Sequence, residues 1–375
     1  MYRTVGGILV LLLALPAVGY QEKNDEKPAT PEQQYKALLK EQSDAMKAYE
    51  DAAGKAKTQQ ERNKAFAEKY PKPEKAAPKF LELAEKNPKD PVAVDALIWV
   101  VTHTDTTGED SPRDKALNIL LRDHVKSDKL VPICQNLIYS YGETETKLLH
   151  AILDKNSSKD VQTEACLALA QQLGRAALML RLMEDQPEMA SRLEQIVGKE
   201  QLEDLRIKGP AKLAEESAHY YKDFASKYAP GMKADKLIQL CQNLGQSGDG
   251  GAEPLLRMLE EKDRRRDVQG VACLALAQSL KTLVEYMPES KEKEAEKMRK
   301  ESETMFERVV NKYADVKLPF GGAIGEQAKT SLFELRYLSI GKEAPEIAGE
   351  DADSKKFKLS DYRGKVVLVD FWGNW

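Results

Sequence analysis

The chain has 375 residues, 57 basic and 61 acidic side chains, a formal net charge of −4 and 42% hydrophobic residues. A highly charged, mildly acidic chain lacks the clustered basic surface that a nucleic-acid partner needs, and its one basic triplet, Arg264-Arg265-Arg266, reads as a solvated loop between helices. The length allows two or three domains, and 7% aromatic residues with few strand-like runs before residue 355 point to helices stacked on helices.

Residues 1–19 read as a secretory signal peptide: a charged start at Arg3, an apolar run from Val5 to Leu15, and small residues at Ala17 and Gly19. Export to the periplasm or cell envelope follows from that reading. The run is short for a membrane span, so an uncleaved anchor is the alternative and the sole membrane attachment to weigh. Residues 20–90 read as a charged helical leader. Residues 21–30 are polar, then Tyr35, Leu38, Leu39, Met46 and Tyr49 recur at helical spacing, with Gly54 a candidate break. Pro71, Pro73 and Pro78 punctuate the chain, and Asn87 to Pro91 is a turn with a helix start. The apolar stretch Val92 to Val101 then opens a helical body spanning 91–340.

That body contains an internal duplication. Lys126 to Leu173 aligns without gaps onto Lys233 to Leu280, and nearly half of the aligned pairs are identical. Cys134-Gln135-Asn136-Leu137 recurs as Cys241-Gln242-Asn243-Leu244, and the run from Ala165 to Gln171 recurs from Ala272 to Gln278. Each copy reads as three short helices, the last resembling the second helix of a HEAT-type repeat, so neighbouring units should stack as a solenoid-like array. Between the copies, Lys212 to Tyr228 is amphipathic, with an Ala/Tyr pattern that resembles tetratricopeptide-like helices. Glu285 to Tyr313 reads as a charged helix, Pro319 to Gly322 as a break, and Ala328 to Ile340 as a last short helix.

The tail, 341–375, differs in kind. Lys355 to Leu359 alternates as a hairpin strand, Ser360 is a candidate N-cap for a helical turn that Gly364 stops, and Val366 to Trp372 is an apolar run that reads as a buried parallel strand. Three motifs occur in order: Gly341-Lys342-x-Ala344-Pro345-Glu346-Ile347, then Leu359-Ser360-Asp361-Tyr362-Arg363-Gly364-Lys365, then Val369-Asp370-Phe371-Trp372-x-x-Trp375. They resemble the start of a thioredoxin-like redoxin domain of the TlpA/ResA kind. The second motif and the Trp-x-x-Trp favour that branch over peroxiredoxins. The resemblance implies a Cys-x-x-Cys directly after the second Trp, which the sequence up to Trp375 does not contain, so the domain is expected to be incomplete. It also implies that Asp370, a carboxylate inside a buried strand, accepts a proton from the inner thiol, and that Trp372 and Trp375 pack beside the redox centre. The alternatives for these residues are a strand-end cap for Asp370 and plain core packing for the tryptophans. A sheet needs neighbouring strands, so the tail is expected to be poorly ordered or to borrow cover through Phe371, Trp372 and Trp375.

The cysteines of the body, Cys134, Cys166, Cys241 and Cys273, form no Cys-x-x-Cys and no zinc knuckle. An exported chain with four of them admits two disulfides, one per copy; their alternative is small buried residues repeated because the packing is repeated. His103, His124, His150 and His219 lack ligand spacing, and Gly248-Asp249-Gly250-Gly251 lacks the Lys-Ser/Thr of a phosphate loop. No metal or cofactor site emerges. The fold class is therefore mostly α: a helical-repeat body followed by an incomplete α/β thioredoxin-like segment. The functional expectation is an exported thiol–disulfide oxidoreductase acting on protein thiols or disulfides, inactive over these residues alone. A non-enzymatic binding scaffold and a peroxiredoxin-like antioxidant are the alternatives.

Overall fold

Caps and prolines set the helix starts. Helix α1 (Pro31–Lys55) and α2 (Gln59–Lys69) begin on capping boxes, Thr30 with Gln33 and Thr58 with Glu61, each satisfying two orphan donors. Helix α3 (Pro73–Lys86) and α4 (Pro91–His103) carry Pro at the first position, and the Asp90 side chain accepts from Val92 N–H. Pro78 does not break the chain as expected but lies inside α3. The computed structural model describes residues 29–370 apart from 107, 109, 186, 187, 189, 286, 319, 320, 340 and 352. The expected signal peptide, 1–19, lies outside the described residues.

Helix α5 (Pro112–Ile119) runs into a π-turn at Leu120–His124. There follow α6 (Val131–Leu137), α7 (Glu143–Lys155), the long α8 (Lys159–Asp185), α9 (Ala190–Val197), α10 (Lys199–Lys208), α11 (Pro210–Lys227), α12 (Ala234–Ser247), α13 (Glu253–Lys262), α14 (Arg266–Glu285), α15 (Glu292–Lys312) and α16 (Ile324–Phe333). The charged helix expected from Glu285 starts instead at Glu292, because α14 carries on to Glu285 and Pro288 interrupts the chain. The last helix begins at Ile324 and ends in a π-turn, Glu334–Leu338. The protein is mostly helical, with one two-stranded sheet, β1 (Ala348–Glu350) and β2 (Lys356–Lys358), among the described residues.

Three apolar cores share α8. Its Leu169 belongs to the core built on α3 to α7, its Cys166 and Ala170 to the core built on α11 to α16, and its Leu173 to Met183 half to a third core under α9 and α10. The two copies fold as equivalent triplets, α6–α7–α8 and α12–α13–α14. Their hydrogen bonds correspond in the register of the ungapped alignment. Gln162 Nε2 donates to Asn156 O, as Gln269 Nε2 does to Asp263 O, both at 2.9 Å. Asn156 Oδ1 accepts from Ser158 N–H, as Asp263 Oδ1 does from Arg265 N–H. Asn156 reaches Val125 O through its own amide, whereas in the second copy the Arg265 guanidinium reaches the equivalent Met232 O.

The repeat has a fourth helix that the ungapped alignment does not reach. Ser217 on α11 donates to Ala170 O of α8 at 2.7 Å, and Ser302 on α15 donates to Ala277 O of α14 at 2.8 Å. The Cys166 thiol faces Tyr220 O and the Cys273 thiol faces Met305 O. The serine lies 47 residues from its carbonyl partner in the first copy and 25 in the second. The thiols lie 54 and 32 residues from theirs, so both pairs place the same excess of chain in the first copy. That excess corresponds to α9, α10 and their connections, an insertion between the third and fourth helices.

The two units meet at a buried polar hub. Tyr221 of α11 donates to Asp249 Oδ2 at 2.6 Å, and Gly251 N–H donates to Oδ1 at 2.9 Å. The carboxylate lies so close over Gly174 of α8 that a Cβ there would overlap it. Burial raises the Asp249 carboxyl from 3.8 to about 6, against the lowering effects of Tyr221, Gly251 and Arg175.

Ser217→Ala and Ser302→Ala should each lower urea-unfolding stability by about 1 kcal/mol, the worth of one buried hydrogen bond. An unchanged midpoint in either would show that the serine bond does not hold the fourth helix to the third. For Asp249, the folded carboxyl keeps its proton up to about pH 6 while the unfolded one releases it near 3.8. The folded state therefore binds more protons between those values, and stability falls as pH rises through them. Asp249→Asn should abolish that contribution. The stability difference between wild type and D249N should shift by roughly 2–3 kcal/mol across the window, favouring wild type at the acid end.

Candidate functional site

The tail brings two of its three motifs together. Strands β1 and β2 pair antiparallel with Ala348 opposite Lys358 and Gly349 opposite Phe357. The turn between them closes on Asp351, whose Oδ1 accepts from the N–H groups of Asp353 and Lys355 at 2.9 Å. Pairing continues past the strands, with Leu359 N–H donating to Ile347 O at 2.8 Å. Ser360 N–H donates to Glu346 Oε1 at 2.9 Å, and the Arg363 guanidinium pairs with Glu343. The Ser360 hydroxyl and N–H hold the Glu346 carboxyl below its ordinary range. Glu343, Glu346, Ser360 and Arg363 line a shallow cavity of about 330 Å³.

The corner after β2 is a 3₁₀ turn, Leu359–Tyr362, capped by Lys358 and not by Ser360. Asp361 accepts from Lys358 N–H at 2.9 Å and takes the capping role, which frees the Ser360 amide for Glu346. Gly364 follows with φ +81°, where a side chain would be strained. The strand expected from Val366 does not form over 366–370. Val366 and Leu368 are 104% and 93% exposed, and Asp370 is exposed too. The reason is physical: a central strand is held by neighbours on both sides, and no described strand stands beside this segment. Phe371, Trp372 and Trp375 lie outside the described residues, so the cover expected from them does too.

Asp370 is not brought near a thiol. Cys134, Cys166, Cys241 and Cys273 sit on α6, α8, α12 and α14, all buried and all free. The disulfide alternative is not what the structure contains: the Cys166 and Cys273 sulfurs face carbonyls of the fourth helices and not the first helices of their copies. Matched members of the two copies are matched in burial as well. Desolvation pushes each thiol up to about 12, so almost none is thiolate near neutral pH. No three of the described His, Cys, Asp and Glu side chains converge as metal ligands. Of the histidines, His103 stacks on Trp99 and His150 lies 3.2 Å from the Tyr220 hydroxyl.

The sequence alone does not single out the clasp of Glu343, Glu346 and Arg363. Their motif positions are visible in it, but the partners are 14 and 20 residues apart, and nothing short of the hairpin register pairs them. Chemically the clasp holds no nucleophile; it fixes the geometry of the chain entering the third motif.

No family model matches the chain, and no solved structure gives a significant match. Curated proteins do. Thiol-disulfide oxidoreductase ResA of Bacillus cereus is 39% identical over 59 residues, 16% of this chain and 34% of that protein. ResA of Bacillus thuringiensis is 47% identical over 55 residues, and that of Bacillus subtilis 45% over 38, covering 32% and 21% of those proteins. Part of this chain is similar to ResA. The chain spans about a third or less of the length of these relatives, and most of its own length lies outside the match.

The burial of the thiols predicts their reactivity. With Ellman's reagent the native protein should titrate essentially none of its four cysteines within minutes, and all four once unfolded in guanidinium chloride. Rapid native labelling of any one would contradict the packing described.

Proposed function

We propose that this chain carries the helical scaffold and the opening part of the redox domain of an exported thiol–disulfide oxidoreductase of the ResA kind. One observation carries the reading: the two motifs that open the tail are folded onto one another by the hairpin and the Glu346–Ser360 bond, in a chain of which part is similar to ResA. The domain starts near Gly341, and residues 91–340 are the scaffold. Residues 1–19 direct export, and the periplasm or cell envelope is the site of action. The partners are protein thiols or disulfides, and the chemistry draws on no cofactor.

The reaction needs a Cys pair, which this reading puts after Trp375. The outer thiolate attacks a client disulfide sulfur, forming a mixed disulfide and expelling the client's other sulfur as a thiolate. Asp370 takes the proton of the inner thiol, which then attacks the mixed disulfide; the client leaves reduced and the Cys pair is left oxidised. In this role Asp370 is covered once the sheet around Val366 to Trp372 is complete, and Trp372 and Trp375 shape the surface that meets the client.

The coding sequence beyond the Trp375 codon tests the proposal. An in-frame Cys-x-x-Cys within a few codons is expected, and a frame without one would overturn it. For the protein carrying that pair, insulin reduction should be abolished by replacing either new Cys. Asp370→Asn should slow it by roughly a hundredfold, the lower end of the scale for a lost proton acceptor. Residues 1–375 alone should show no turnover above that of a variant lacking all four body cysteines.

A further inference from the structure

The insertion of α9 and α10 does more than lengthen the first copy. Together with α7 and α8, α10 walls two adjoining cavities, of about 560 and 480 Å³, that share Tyr141, Glu143 and Asp204. The second copy has no counterpart of α9 and α10 among the described residues to build such a groove. One end of the groove is acidic, lined by Asp105, Asp114, Glu143, Glu145, Glu200 and Asp204. The other has an apolar floor of Leu173, Ala176 and Leu205.

The cations at the acidic end are largely engaged already. The Arg113 guanidinium donates to the carbonyls of Val101 and Thr104 and to Asn136 and Ser140. Arg175 lies over the Tyr139 ring, 4.6 Å from its centroid, and Lys147 pairs with Glu143. Asp105, Glu200 and Asp204 form no ion pair among the described residues. Glu145 is the most telling group. It is only 6% exposed, lines the groove, and neither accepts a hydrogen bond from nor pairs with another described side chain. Desolvation raises its carboxyl pKa, with its own backbone amide and Arg113 only partly offsetting the effect. A largely buried carboxylate that forms no ion pair, the nearby Arg113 acting on it only through its field, is a costly feature that a ligand cation would relieve.

We infer that this groove binds an extended segment of a basic polypeptide, a Lys or Arg side chain entering toward Glu145 and a neighbouring aliphatic side chain resting on the Leu173–Leu205 floor. A bare metal ion fits less well, since no three of the described acids converge at coordination distance and the joined cavities are far larger than an ion. The inference concerns the helical body and stands independently of the redox reading.

Fluorescence anisotropy with a fluorescein-labelled hexalysine peptide tests it on the full chain at low ionic strength. Hexaglutamate serves as the negative probe. Glu200→Lys with Asp204→Lys should weaken hexalysine binding by about tenfold or more, the scale of two reversed charges at a partly screened site. Glu145→Gln, nearly isosteric and relieved of a buried charge, should keep the fold by circular dichroism and weaken binding severalfold. The control Glu50→Lys with Asp51→Lys imposes the same change in net charge on exposed residues of α1 and should leave affinity within about twofold. No binding by wild type, an equal loss in the control, or full affinity in E145Q and the groove pair would each overturn the inference.

Discussion

The helical body rests on close approach between helices. Ser217 and Ser302 reach across to a backbone carbonyl of the preceding long helix, which a hydroxyl on so short a side chain does only where small residues line the seam. Ala170 and Ala277 supply that smallness, and both serines are fully buried. Around each clasp the same partners recur: a thiol beneath a carbonyl, and a Gln closing the start of the long helix. The body is thus one packing solution used twice, with α8 facing three cores because the first two helices of its unit, the inserted α9 and α10, and the helices from α11 onward all pack against it.

This arrangement accounts for what the four cysteines are. Each fills a narrow position at a helix seam, where a larger side chain would push the helices apart and a charged one would be unpaired. The motifs that resemble a redoxin domain lie instead in the tail. There the clasp of Glu346 on Ser360 and Arg363 on Glu343 sets the direction in which the chain enters the Val366 to Asp370 segment. The two regions serve opposite ends, one excluding water from sulfur and the other presenting an apolar segment to its surroundings.

Much of the fold is legible in the sequence because its determinants are local or identical. The triplets show themselves in ungapped repetition, and the turn from Asn87 to Pro91 marks a helix start by cap chemistry at Asp90 that needs no tertiary context. The fourth helix is hidden: Ser217 and Ser302 sit in segments of low identity whose register is broken by the insertion. Asp249 reads as part of a turn between helices, since nothing local reveals that Gly174 leaves room for its carboxylate. Ser360 loses the cap position because the turn starts at Leu359, one residue earlier, with the Asp361 carboxylate folded back on the Lys358 amide. The run from Val366 reads as a strand by composition, but a strand's hydrogen bonds come from elsewhere in the chain, so composition alone cannot form it. At the candidate site, residue identity is visible and pairing is not.

The place of the insertion has its own consequence. It falls between the third and fourth helices of a unit, and the fourth helix is held to the third by side-chain bonds and packing, not by a short connection. Lengthening that connection by two short helices adds little closure entropy, since the cost grows only with the logarithm of loop length. The seam after α14, bridged by a few residues before α15, is the same joint without cargo. Such a joint lets a repeat protein acquire a new surface in one unit while its twin keeps the original packing, so that diversification of one copy does not endanger the stability of the pair.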